Sequence, residues 1–201
     1  MFKDFQLLFI DFETTGLSPE QDYPTEVAVL KTDGFNPKGF SSKIQLPDGV
    51  EIPDDITELT GLTANNVNAQ GISREKIKSV LKTFVNEETL VIAHNANFDL
   101  GFLYHHFGII PKHFMCTRTI EYLTNPHLSL SLKHVYPRYV ADRQQTHRAG
   151  DDVSMTKAVF DAQVSVHGQH AMEFFLNKMV RTPERNLVYC PSNAIVLDFR
   201  K

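Results

Sequence analysis

Thiols are scarce in this chain: Cys116 and Cys190 are its two cysteines, far apart and without a CxxC spacing. That excludes a disulfide framework and a cysteine-rich zinc site, and both read as reduced thiols. Long apolar runs are also missing, so no stretch reaches the roughly 18 residues of a spanning helix. Near the start, only Leu7 to Ile10 form a strongly apolar run, between Lys3-Asp4 and further acids, which is too short for a signal peptide. These absences point to a soluble, cytoplasmic protein with no membrane partner. Positive charge is not in excess either. Lys and Arg number 20 against 24 Asp and Glu, a formal net charge of -4, which argues against coating duplex nucleic acid by bulk electrostatics. It leaves room for a nucleic acid enzyme whose cations are bound metals. No linker, internal repeat or low-complexity tract interrupts the chain.

What remains is the composition of one globular domain: 201 residues, 42% hydrophobic and 22% charged. "FQLLFI" reads as a short buried strand, followed by "PTEVAVLKTD" and "FSSKIQL" across the turn-rich "DGFNPKG", a three-strand meander. From Ser73 to Asn86, Ile77, Val80, Leu81, Phe84 and Val85 fall at helical spacing behind a serine N-cap. "TLVIAHN" reads as another buried strand. "FDLGFLYHHFG" reads as a helix with Phe98, Phe102 and Leu103 inward and Gly108 near its end. "HFMCT" suggests a short strand, "RTIEYLT" and "LSLKHVY" short helices, and "DDVSMTKAVFDAQVSV" a longer helix. The tail "NLVYCPSNAIVLDF" suggests a hairpin closed by Pro-Ser-Asn. Strand, helix, strand after a meander signals an α/β fold with a mixed sheet.

Three acidic motifs punctuate these elements. In "LLFIDFETTGL", Asp11 and Glu13 sit two residues apart at a strand end, so both point to one face and can converge on a hard cation such as Mg²⁺ or Mn²⁺. Alone, such a pair is common on solvated strand ends. In "HNANFDLGFL", Asp99 falls in a first helical turn, where an acid is also favoured by free amides and the helix dipole. If the strands before these two motifs run parallel, their ends lie side by side, where open α/β sheets place their sites. In "THRAGDDV", His147 stands five residues before Asp152 in a loop feeding a helix.

D-x-E, then H-N-x-x-F-D, then H-x-x-x-x-D, in this order and context, resembles the DEDD-type 3′-to-5′ exonucleases with a histidine motif, the superfamily of proofreading exonucleases, RNase T and oligoribonuclease. "TTGL" after Glu13, "ITELTGLT" at Ile56 to Thr63 and "SLKHVYPRYV" are similar to that family as well. The resemblance implies a ribonuclease H-like fold, a five-stranded mixed sheet flanked by helices. It places an exonuclease core at residues 1–166 and leaves a C-terminal extension, a helix plus the hairpin, at 167–201, packed on the same domain. Cys116 departs from the pattern, standing where many relatives carry an aspartate.

Phosphodiester hydrolysis needs cations that hold the anionic phosphate and stabilise attacking and leaving oxygens. By resemblance, two Mg²⁺ or Mn²⁺ ions are held by Asp11 as the bridging ligand, by Glu13 and Asp152 at one metal and by Asp99 at the other. His147 is the general base. Backbone around Thr14, the Leu17 side chain and Asn95 hold the terminal nucleotide. The leading reading is an exonuclease acting on single-stranded or frayed DNA ends, with a polymerase or repair protein as partner. Two alternatives stay open: an exoribonuclease like RNase T or oligoribonuclease, and a nucleic acid binding or assembly module without catalysis. His105-His106 and His167-x-x-His170 read as helical pairs on a solvated face, and Phe2, Phe5, Phe9 and Phe12 as core and edge packing.

Overall fold

The structure, a computed structural model, describes residues 5–32, 37–140 and 147–200. Three strands open the chain, β1 (Gln6–Thr14), β2 (Pro24–Thr32) and β3 (Lys38–Lys43), joined as the expected antiparallel meander. Part of the "DGFNPKG" turn, and Phe2, lie outside the described residues. Two short helices follow, α1 (Asp54–Thr60) and α2 (Ala64–Gln70), then α3 (Arg74–Phe84), whose first turn is capped by the Ser73 side chain accepting from the Lys76 N–H. Next come β4 (Thr89–Ala93), α4 (Ala96–Phe107), β5 (His113–Cys116), α5 (Thr117–Thr124), α6 (Leu132–Tyr139) and α7 (Ala149–His167). Helix α4 ends where Gly108 takes the left-handed φ of 64°.

The five strands form one mixed sheet in the order β3-β2-β1-β4-β5, with β4 parallel to both β1 and β5. Alternation along β1 divides its side chains between two cores. Leu8, Ile10 and Phe12 pack with Leu81, Leu100 and Phe102 of α3 and α4, while Phe9 packs with Val153 and Phe160 of α7. Asp11 and Glu13 continue the Phe9 face. They therefore emerge on the α7 side, just past the last apolar residue facing that helix.

After α7 come a short helix, α8 (Gln169–Met172), a 3₁₀ turn at Glu173–Phe175 and two strands, β6 (Lys178–Arg181) and β7 (Ile195–Asp198). The tail is not the hairpin expected from "NLVYCPSNAIVLDF". Strand β7 pairs in parallel with β6 instead, because the Leu187 to Tyr189 stretch is already spent on α4. Leu187 and Tyr189 pack on its core, and the Val188 N–H donates to Asn97 Oδ1 at 3.0 Å. Gly101 lets this happen, since a β-carbon there would lie 2.6 Å from Pro19 and 3.0 Å from Tyr189. No helix among the described residues is long and apolar enough to cross a membrane.

Asn177 fastens the extension to the sheet edge. Its Oδ1 accepts from the Phe114 N–H at 2.8 Å while its own N–H donates to the Phe114 carbonyl at 2.9 Å. Asn177→Gly keeps a residue that tolerates the left-handed φ of 54° but leaves the Phe114 N–H without that partner. It should cost about 1–3 kcal/mol in a denaturant titration, and an unchanged midpoint would show that this dock contributes nothing to stability.

Candidate active site

Register builds the site. Strand β1 pairs with β4 only as far as Phe9 opposite Ile92, so Asp11 to Thr14 overrun the end of β4. The Phe12 N–H has no neighbouring carbonyl there, and Asp99 Oδ1 accepts from it at 3.1 Å. One short bond thus locks the first turn of α4 to the strand bearing the acids. From the other side, α7 brings Asp152, and carboxylate oxygens of Asp11, Glu13 and Asp152 lie within 4.8 Å of one another. Asp99 does not join that group of three. It lies beside it, close enough for its charge to be felt by both Asp11 and Glu13. Asp151, one residue before Asp152, stays outside the group, as the angular step of a helix requires.

Such crowding has an electrostatic consequence. Burial, then the neighbouring Asp99, Glu13 and Asp152 charges, push the Asp11 carboxyl well above the usual carboxylate range. Burial and Asp152 raise Glu13 to about 9. Burial raises Asp99 to about 8 against the opposing pull of the Phe12 N–H. Three convergent hard-oxygen ligands, two of which, Asp11 and Glu13, hold their protons this strongly, fit a divalent cation, which would remove the repulsion that raises those two.

Two further contacts fix the frame. Glu26 of β2 sits directly opposite Glu13, a like-charge pair that would be costly alone. Arg148, just before α7, clasps it with two bonds, Nε to Oε2 at 3.0 Å and Nη2 to Oε1 at 2.6 Å, and the Ala149 N–H adds a third at 3.2 Å. The start of α7 is thereby bolted to the sheet next to Asp152. His94 donates Nε2–H to the Leu130 carbonyl at 2.8 Å and so must accept from the Thr117 hydroxyl at Nδ1, also 2.8 Å. Burial lowers its pKa to about 4, which keeps it a neutral cross-link and not a proton acceptor.

Asp11 and Asp152 line a cleft of about 330 Å³ together with Leu17, Asn95, Phe98 and His147. His147 reaches it from a left-handed residue of φ 51°. Leu17 is 72% exposed, a level that rules out a core role. Its loop is stiff: the Thr14 hydroxyl donates to the Gly16 carbonyl at 2.6 Å, Asp22 Oδ2 accepts from the Ser18 N–H at 2.8 Å, and a β-carbon at Gly16 would strike the Asp22 carboxylate at 2.4 Å. Asn95 holds a φ of 80° and accepts from Asn97 Nδ2 at 2.7 Å.

Some expectations change. Phe98, expected inward, is half-buried and lines the cleft, its ring 4.9 Å from that of Phe102. His106 does not lie on a solvated face. It is half-buried, stacked on Phe102 at 5.6 Å and 2.9 Å from the Asp22 carbonyl, a structural cross-link. Cys116 makes contacts of its own, its Sγ accepting from the Ala96 and Thr119 N–H groups at 3.3 and 3.4 Å. Glu26 and Arg148 escaped sequence reasoning, since only the β1–β2 register and the docking of the α7 start on the sheet bring them to the site.

Comparison with known proteins bears on the family and the fold. The RNase T exonuclease family model matches residues 8–160. The chain belongs to this exonuclease family. Among its relatives, a PolC-type DNA polymerase III of Clostridium perfringens is 40% identical over 101 residues, covering 50% of this chain and 7% of that protein. The chain thus spans a small fraction of the PolC-type relatives. The epsilon subunit of DNA polymerase III from Treponema pallidum is 22% identical over 197 residues, covering 90% of this chain and 89% of the subunit. Escherichia coli exonuclease I, solved in complex with a dA16 oligonucleotide, superposes with a TM-score of 0.72 at 18% identity over 85% of this chain and 42% of its own. That superposition establishes the ribonuclease H-like fold within the exonuclease family.

The raised carboxyls make stability depend on pH and cation together. A carboxyl whose folded pKa lies above its unfolded value stabilises the fold at low pH, and that contribution fades as pH rises from about 4 through the folded values of about 8 and 9. The chelated protein should therefore lose melting temperature across this window. Mg²⁺ should raise it more at about pH 8.5 than at about pH 6, because the ligands must shed their protons to bind. A shift that is equal or smaller at the alkaline end would remove these carboxylates from cation binding.

Proposed function

We propose that the chain is a metal-dependent 3′-to-5′ exonuclease that releases nucleoside 5′-monophosphates from single-stranded or frayed DNA ends. One observation carries this reading: three carboxylates from β1 and α7 converge within 4.8 Å beside a cleft that also presents His147 and an exposed Leu17. DNA is favoured over RNA because the relatives named above are DNA polymerase III proteins and a nuclease solved with a DNA strand. The same names support a polymerase as partner. The exonuclease unit is assigned to residues 1–166, with 167–201 as its extension.

The residues divide the work as follows. Asp11, Glu13 and Asp152 would hold one divalent cation and Asp99, with Asp11, a second, Mg²⁺ or Mn²⁺, which when bound supply the positive charge that phosphoryl transfer requires. His147 accepts the proton of the attacking water as its oxygen bonds to phosphorus. The bond from phosphorus to the 3′ oxygen of the penultimate nucleotide breaks, and that oxygen takes up a proton. Leu17 and Phe98 offer apolar surface to the terminal base. Backbone at Thr14 and the Asn95 amide hold its sugar or phosphate, so that a chain end, and not a continuous strand, fits.

A labelled-strand assay tests the reading. With Mg²⁺, single-stranded DNA should yield mononucleotides from its 3′ end, a closed circle should persist, and chelator should stop release. Hydrolysis that survives exhaustive metal removal, or efficient cutting of the circle, would falsify it. Faster release from RNA of the same sequence would shift the substrate to RNA.

Variants test the assignments. Asp152→Asn should nearly abolish release with the fold kept. Asp151→Asn should retain most activity and cost up to about 1 kcal/mol through lost interaction with the α7 amino end. His147→Ala should slow single turnover by roughly 10² to 10⁴-fold while the Mg²⁺-induced rise in melting temperature persists. An inactive Asp151 variant beside an active Asp152 variant would move the third motif by one residue.

A further inference from the structure

The same cleft is also lined by charge of opposite sign. Arg118, in the first turn of α5, and Arg185, in the extension, both line it together with Leu130 and the site residues. They also line a smaller adjoining cavity with Asn97 and Tyr122. Arg185 is presented by a tight turn in which the Thr182 and Arg185 backbones exchange hydrogen bonds at 3.2 and 3.3 Å. The turn is positioned from both sides, by β6 before it and by the Val188 bond to Asn97 after it.

Two guanidiniums facing one space would ordinarily be relieved by a carboxylate. Among the described residues neither forms an ion pair with one. Arg118 Nε is buried without a hydrogen-bond partner. The guanidinium of Arg118 feels the charge of Arg185 and is driven downward in pKa, first by burial and then by that neighbour. The nearby Arg138 is different, since it pairs with Glu121 at 3.2 Å. A buried donor left open beside a second cation, in a chain of net charge -4, is a place prepared for an anion. Arginine forks match phosphate oxygens in geometry and charge.

We propose that Arg118 and Arg185 form a clamp for one backbone phosphate of the substrate strand, distinct from the phosphate being cleaved, and that the C-terminal extension completes the substrate track. This rests on the exonuclease reading for the identity of the strand. The carboxylate cluster repels a polyanion until cations occupy it, so the clamp supplies a cation-independent hold on the strand inside an otherwise acidic molecule. It also gives the extension a function, because a chain ending after α7 would retain Arg118 alone.

Binding of fluorescein-labelled oligo-dT, followed by anisotropy over a salt series, tests the clamp. The Asp152→Asn background keeps the strand intact. Arg118→Gln and Arg185→Gln, introduced singly and together, should weaken binding at least about tenfold in the double variant. The slope of log affinity against log salt should fall by about 0.7, the share of one phosphate contact on a single strand. Arg185→Lys, which keeps the charge, should retain the slope. Arg185 is exposed, so its variant isolates binding from folding, and melting curves check the rest. Unaltered affinity and slope in the double variant, or no binding of oligo-dT by the background protein, would overturn the clamp. If dTMP binding fell in the variants while the oligo-dT slope held, the pair would serve the released nucleotide and the strand clamp would be wrong. Wild-type protein that binds the strand but never cuts it in Mg²⁺ would sink the exonuclease reading and leave the clamp standing. Cutting with an unaltered slope in the variants would do the reverse.

Discussion

Mutual repulsion among buried and half-buried carboxylates is the constraint around which this molecule is organised. Asp11, Glu13 and Asp152 converge within 4.8 Å and Asp99 adds its charge from beside them. Left ionised and without a counter-ion, such a cluster opposes folding, and its raised proton affinities express that opposition. The fold overcomes it with apolar packing on both sides of β1, where Leu8, Phe9 and Ile10 are fully buried directly before the acids. The strain is thus confined to the overrunning end of one strand, next to a cleft that a cation and a phosphate can enter.

The neighbouring contacts make sense as ways of holding that end still. A backbone N–H freed by the strand overrun is given to Asp99, which anchors α4. Arg148 pairs with Glu26 and its charge pulls against the rise that Glu26 imposes on Glu13 across the sheet, and the same clasp fixes the start of α7. Both devices work on carboxylates at the margin of the cluster. Neutral His94 ties the end of β4 to the loop at Leu130 without adding a charge. Positioning here is mostly backbone register plus a few charge-assisted bonds, which are strong and directional where water is excluded.

Sequence reading reached what local pattern determines. Asp11 and Glu13 were legible because strand alternation puts them on one face, and Asp99 because two parallel strands end side by side. The meander, α3, α4 and α7 were legible from apolar period and capping, whereas α1 and α2, each seven residues long, carry too little periodicity to stand out. The tail misled for a physical reason: "NLVYC" and "AIVLDF" have strand character and a turn between them, but the first had a better use against α4. His106 likewise looked solvated from its place in a helix and was claimed by the loop at Asp22. Glu26, Arg148, Arg118 and Arg185 carry no local signature at all, since their importance comes from charges brought together over long separations in the chain.

Cys116 lines the smaller cavity together with Arg118 and Arg185. An aspartate at this position would cap α5 and receive the Ala96 N–H more strongly than the thiol does at 3.3 to 3.4 Å. In this chain the residue two positions on is Arg118, whose guanidinium is close enough to feel Cys116. An aspartate would therefore give Arg118 a fixed counter-ion and take away the open donor that makes the basic wall attractive to phosphate. The thiol keeps the geometry of the cap at reduced strength and leaves the guanidinium without a carboxylate partner among the described residues. The cap and the arginine are thus coupled, because a stronger acceptor for the α5 amides would also be a counter-ion for Arg118, which a neutral thiol is not.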